Sequence, residues 1–209
     1  MYIILSYYYI DFKLAKKTSK KEKLITAYHE AGHYLVSQMS ANIKNYKNAF
    51  VSILPIEGTL GLTACYWDFG QQVTCSKDYY IDEIAFCLGG RVGEAIYTNE
   101  FSSGARADLI LANEMAEKLV LAYGLATLDG EQNKSYMIGN YVKDFLLTDE
   151  LRTKINTEIS KIINEAYKKA EDSINQNMEL YEEIVKRLVE EGVLMGDELE
   201  EICQKYSET

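Results

Sequence analysis

The stretch Ala27-Tyr28-His29-Glu30-Ala31-Gly32-His33-Tyr34 constrains this chain more than any other. Leu24, Ile25, Tyr28, Ala31, Leu35, Val36 and Met39 recur around it at three- and four-residue intervals, and Ser19 with Glu22 three positions on reads as a capping box. The spacing predicts a helix over residues 19–40. A helix turns about 100° per residue, so His29 and His33 stack on one face roughly 6 Å apart. They are the only two histidines in the sequence. Two imidazoles so placed can serve one metal ion, and Glu30, one step round the helix, can reach a water held there. His-Glu-x-x-His on a helix is the arrangement used for zinc-dependent peptide hydrolysis, with the glutamate as general base. The bland alternative is a pair of histidines decorating a solvated face. It fits poorly with the small Ala31 and Gly32 and with the apolar pattern around them.

A catalytic zinc usually takes three protein ligands and keeps one position for water. Without a third histidine, the third ligand is a carboxylate or a cysteine. Asp108 lies just after Ser102-Ser103-Gly104, in the first turn of an expected helix, and Glu94 lies beside Gly89, Gly90 and Gly93 in another. Asp108 could equally complement its helix dipole, and Glu94 could be an ordinary exposed or ion-paired residue. Spacing leaves both open.

The rest of the pattern is mainly α with a small antiparallel β-sheet. Residues 50–54 read as a strand ended by Pro55, Glu57-Gly58 as a turn, and residues 60–67 as a second strand in which Gly61 marks close approach by other backbone. A helix runs from Ser76 to about residue 97. Each of its interior glycines costs about 1 kcal/mol relative to alanine, which implies close packing against another helix, most simply the motif helix. Leu109, Ala112, Met115, Ala116, Leu119 and Val120 mark a third helix with Gly124 as its cap. Residues 125–147 lack a period. A long amphipathic helix follows Thr148, another covers residues 181–190, and a last one starts at Asp197, with Glu200 completing a box. The expected division is an arm over residues 1–18 and one unit over residues 19–209, with a C-terminal helical bundle from about residue 148.

A formal charge of −10 argues against nucleic acid as a partner. Cys65, Cys75, Cys87 and Cys203 form no C-x-x-C pair and are expected to be free thiols, with a Cys65–Cys75 bridge left open. Residues 1–10 are apolar but only about half the ~20 residues a spanning helix needs. With Lys13, Lys16, Lys17, Lys20, Lys21 and Lys23 behind them, they read as a strand or docking arm, and membrane-surface contact is the weaker reading. The expected location is cytoplasmic, peripheral to the membrane on that weaker reading.

Several segments together resemble the peptidase domain of the FtsH family of ATP-dependent zinc metalloproteases. They are Thr26-Ala27-Tyr28-His29-Glu30-Ala31-Gly32-His33, Val51-Ser52-Ile53-Leu54-Pro55, Leu60-Gly61-Leu62-Thr63, Leu88-Gly89-Gly90-Arg91-Val92-Gly93-Glu94, Ser103-Gly104-Ala105-Arg106-Ala107-Asp108-Leu109, Leu121-Ala122-Tyr123-Gly124-Leu125 and Thr148-Asp149-Glu150. The resemblance covers most of residues 19–202. It implies one zinc ion held by His29, His33 and Asp108, Glu30 as base and Glu94 behind the ligands. It also implies an extended protein or peptide substrate received along Leu60, Gly61, Leu62 and Thr63 by strand addition. It further implies assembly into a six-membered ring. Ile56-Glu57-Gly58 departs from the family's usual arginine then glycine, and Ala107 replaces a usual polar residue. No Walker pattern occurs in these residues, so the chain is expected to lack ATPase activity by that route and to depend on a separate ATPase for stable substrates. The rival expectation is an adaptor or regulatory module of an FtsH-like protease with weak or no catalysis.

Overall fold

The computed structural model describes residues 19–43, 46–55, 59–67, 74–128, 131–132 and 148–207. The arm, the Ile56-Glu57-Gly58 segment and much of the aperiodic region lie outside the described residues. The elements in order are α1 (Lys20–Met39), β1 (Tyr46–Ser52), β2 (Leu62–Trp67), α2 (Lys77–Thr98), α3 (Arg106–Leu121), β3 (Thr127–Leu128), β4 (Glu131–Gln132), α4 (Asp149–Gln176), α5 (Met178–Glu191), β5 (Val193–Met195) and α6 (Gly196–Ser207).

Helix α1 is the axis of the molecule. Its capping box forms as expected: Glu22 N–H donates to Ser19 Oγ (3.2 Å) and Ser19 N–H to Glu22 Oε2 (2.8 Å). From Thr26 to Ser37 every side chain except His29 is buried, because α2, α4, α5 and strands β1 and β2 all pack on it. α1 and α2 meet backbone to backbone. A Cβ on Gly32 would land on the Gly89 carbonyl, and one on Gly89 would stand 2.7 Å from the Gly32 carbonyl oxygen. The interior glycines of α2 are thus the condition for this contact, which offsets their cost in helix propensity.

Three strands form an antiparallel sheet in the order β2-β1-β5, with Val51 opposite Thr63 on one side and Leu194 on the other. The third strand follows α5, which Gly192 ends in a left-handed conformation (φ 83°). Helices α4 and α5 supply Ile162, Ala166, Ile174, Tyr181, Ile184 and Leu188 to the core.

Several expectations change. Strand β1 begins at Tyr46 rather than Phe50, and β2 at Leu62 rather than Leu60. Thr59 folds Leu60 and Gly61 out of the ladder, its hydroxyl donating to the Gly61 carbonyl at 2.6 Å. Helix α3 is capped at Ala122. Gly124 (φ 62°) lies two residues later, where the chain reverses and Leu125 N–H reaches the Leu119 carbonyl at 3.2 Å. The β3–β4 pair occupies part of the stretch that showed no period. At α6 the capping carboxylate is Glu198, which accepts from Met195 N–H at 2.8 Å, instead of Glu200. All four cysteines are free, and among the described residues no helix is long and apolar enough to cross a membrane.

Candidate metal centre

Three helices build the site. Helix α1 presents His29 and His33 four residues apart. Helix α3 begins right after the Ser102–Gly104 turn, which places Asp108 in its first turn, facing them. Helix α2 lies behind and contributes Glu94, the Phe86 carbonyl and a gap at Gly90. There a Cβ would stand 2.5 Å from His33 Nε2 and 2.6 Å from His29 Nε2. Only a residue without a side chain lets both rings occupy this face of α2.

The three candidate ligand atoms converge. His29 Nε2 and His33 Nε2 are 3.0 Å apart, and Asp108 Oδ2 lies 3.3 Å from the first and 3.6 Å from the second. Tetrahedral ligands at zinc's usual ~2.0–2.1 Å lie about 3.3 Å from one another, so this triangle has the right size. Among the described residues these three form the one group of at least three His, Cys, Asp or Glu residues with ligand atoms so close together.

The outer hydrogen bonds fix which ring nitrogens point inward. The Phe86 carbonyl can only accept, so His33 donates its Nδ1 proton to it at 2.7 Å and turns Nε2 toward the cluster. His29 Nδ1 donates to Glu94 Oε1, also at 2.7 Å, and the Ser102 hydroxyl donates to Glu94 Oε2. Metal-binding imidazoles are commonly oriented in this way. Burial penalises the charged His29 ring, but Asp108, Glu94 and Glu30 outweigh it and push its pKa up to about 10. Burial likewise raises Asp108, yet the two histidines hold it well below the usual carboxylate range, and Glu94 is lowered by His29 and Ser102 against its own burial. Two inward lone pairs and a carboxylate at this distance call for a cation, either a proton on His29 or a metal ion. The donor set of two imidazoles and one carboxylate suits zinc.

Glu30 is 6% exposed, and Thr63 Oγ1 lies 2.7 Å from its Oε2. Thr63 and Gly61 therefore face Glu30, whereas Leu60 is largely exposed outside the strand, and the edge of β2 away from β1 has no partner strand among the described residues. Glu94, which the family resemblance puts behind the ligands, lies against His29 and outside the triangle. The Phe86 carbonyl and the Ser102 hydroxyl are the contributors that sequence reasoning missed. The carbonyl carries no side-chain signal; the serine did have one, in its Ser-Ser-Gly turn before α3.

The profile of peptidase family M41 matches residues 16–202. The chain is 31% identical over 196 residues to "ATP-dependent zinc metalloprotease FtsH 1" of Thermoanaerobacter sp. (strain X514), covering 91% of this chain and 32% of that protein. It is 32% identical over 196 residues to the ATP-dependent zinc metalloprotease FtsH of Caldicellulosiruptor bescii, covering 91% and 31%. With FtsH 2 of Phytoplasma mali it shares 33% over 190 residues, covering 91% and 26%. The chain spans about a third or less of the length of these curated relatives.

Proposed function

The chain belongs to peptidase family M41, and on that premise we propose that it is a zinc-dependent endopeptidase acting on unfolded or flexible polypeptide. The observation that carries this reading is the meeting of His29 Nε2, His33 Nε2 and Asp108 Oδ2 within 3.0–3.6 Å of one another, beside a buried Glu30. The relatives are named as zinc metalloproteases, which supports zinc as the metal, and the donor set agrees with it.

His29, His33 and Asp108 would hold the ion. A zinc bound there supplies Lewis acidity: it polarises a peptide carbonyl and brings the pKa of a water down to about 7. Glu30 takes the proton from the attacking water and passes it to the leaving amine. The Glu94 carboxylate and the Phe86 carbonyl keep the imidazoles in the binding tautomer through this cycle. The open edge of β2 offers main-chain donors and acceptors to an extended substrate, a mode of binding that tolerates many sequences.

Residues 19–209 then act as the hydrolytic unit. Substrate unfolding falls, on this proposal, to an ATPase outside these residues working with a six-membered assembly of this unit; the ATP dependence in the relatives' names supports the first part, and the family resemblance the second. The test is hydrolysis of casein by zinc-loaded protein, wild type against Glu30→Gln. We expect loss of at least 100-fold in the variant at unchanged zinc content, a loss of the size expected for a general base. Equal inertness of both proteins with zinc bound overturns the peptidase reading in favour of an adaptor. Mass in solution checks the assembly, and a monomer at micromolar concentration counts against the ring.

A further inference from the structure

Glu30 does not stand free in the site. Its Oε2 lies 2.7 Å from Thr63 Oγ1, and its main-chain oxygen lies 3.1 Å from the same hydroxyl. The hydroxyl has one proton, and the bond to the carboxylate is both shorter and charge-assisted, so it prevails. The other carboxylate oxygen abuts the same segment of chain. A Cβ on Gly61 would come within 2.6 Å of Oε1 and 2.8 Å of the Glu30 Cγ. Gly61 is itself pinned by Thr59, whose hydroxyl donates to its carbonyl. One short stretch therefore borders both oxygens of the glutamate, with a donor on one and bare backbone against the other.

We propose that Thr63 is a positioning residue for Glu30: its hydroxyl fixes the carboxylate that takes and returns the proton, and it does so from the strand whose open edge would receive the substrate. The inference rests on the peptidase reading and deepens it. The Thr63 proton stays on its oxygen throughout. Substrate alignment and base alignment then depend on one strand, so that a peptide paired along β2 meets a carboxylate already oriented toward it. Thr63, placed by family resemblance among the residues that receive substrate, serves through its main chain in that role and through its side chain in this one.

The test uses zinc-loaded wild type, Thr63→Val, Thr63→Ser, Glu30→Gln and the Thr63→Val/Glu30→Gln double variant on an unfolded fluorogenic substrate. Valine keeps the shape and removes the donor. We expect Thr63→Val to lower kcat by about 10- to 100-fold, with KM within about twofold and zinc content unchanged, because a misaligned reacting group costs about this much. Thr63→Ser should return kcat to within about threefold of wild type. In the Glu30→Gln background the valine should cost under about twofold, since groups acting as a unit are not additive.

An activity-free arm measures urea unfolding of metal-free protein. Thr63→Val should lower the folding constant about tenfold with Glu30 present, and under about twofold in a Glu30→Ala background. A Thr63→Val enzyme with wild-type kcat overturns the proposal, as does a serine variant as slow as the valine one, or a valine cost that persists undiminished without Glu30. If wild type is no faster than Glu30→Gln, the peptidase reading falls and takes the catalytic role of Thr63 with it. A dead Glu30→Gln variant beside a fully active Thr63→Val variant sinks the positioning role alone.

Discussion

Gly90 is the smallest residue in the candidate centre and one of its strictest requirements. A methyl group there would sit 2.5 Å from His33 Nε2 and 2.6 Å from His29 Nε2, against rings already held from behind by Phe86 and Glu94. Neither ring can retreat without breaking its outer hydrogen bond. Gly90→Ala should therefore lower zinc affinity by at least about tenfold while both histidines remain, as read by competition with a chromogenic chelator. Wild-type affinity in this variant would mean that the rings have room to adjust. Glu94→Gln tests the other side of His29. The amide can still accept the Nδ1 proton at its oxygen but loses the charge that raises the basicity of the imidazole, so we expect affinity to fall about 10- to 100-fold in the same titration. An unchanged affinity would reduce Glu94 to a packing role.

The helices α1 to α4 were legible in the sequence because each carries a long apolar period. The α1 capping box, the α1–α2 contact implied by the glycines, and the Thr148 start of α4 all follow from local chemistry, with Thr148 Oγ1 accepting from Leu151 N–H at 3.2 Å. The short elements were hidden for the opposite reason. Strand β5 has three residues, too few to show alternation, and forms only because Gly192 turns the chain back beside β1. At the site, the histidine pair was readable from spacing, but the choice between Asp108 and Glu94 was not, since both are helix carboxylates and only the approach of α3 to α1 separates them. Helix α2 holds a further consequence that sequence could not give. Burial raises the Glu83 carboxyl from 4.5 to about 7, although Tyr79 donates to it at 2.6 Å. Its folded pKa lies above its unfolded one, so between about pH 4.5 and 7 the folded state holds the proton more tightly, and stability is lost as pH rises through that window. Glu83→Gln keeps the acceptor and removes the charge. Urea unfolding should show the variant equal to wild type near pH 4 and more stable by up to about 3 kcal/mol at pH 8. A difference independent of pH would assign the effect to packing instead.

At the scale of the whole molecule, the helices farthest in sequence from the histidines hold the helix that carries them. Tyr181 of α5 is fully buried and donates to the Tyr28 carbonyl at 2.6 Å, one residue before His29. Gly93 makes room for that hydroxyl, because a Cβ there would collide with it. Tyr28 in turn donates to Glu182, Lys23 donates to the Val189 carbonyl at 2.9 Å, and Ile53 N–H donates to the Gly192 carbonyl at 2.9 Å. The charged faces of α5 and α6 are solvated, as their sequence suggests, but the apolar face of α5 packs directly on α1, and β5 completes the sheet. A chain ending at residue 176 keeps His29, Glu30, His33, Glu94 and Asp108 yet loses this clamp. It leaves Tyr34 without its α6 neighbour Cys203 and Val51 without its β5 partner Leu194, and burying a large apolar side chain is worth about 1.5–3 kcal/mol. Against a typical net stability of about 5–15 kcal/mol, losing several such burials is decisive. The truncated chain should show no cooperative thermal transition by near-ultraviolet circular dichroism and should not retain zinc through gel filtration. If it melts cooperatively with one zinc bound, the ligand helices hold together without their C-terminal support, and residues 19–209 are not a single folding unit.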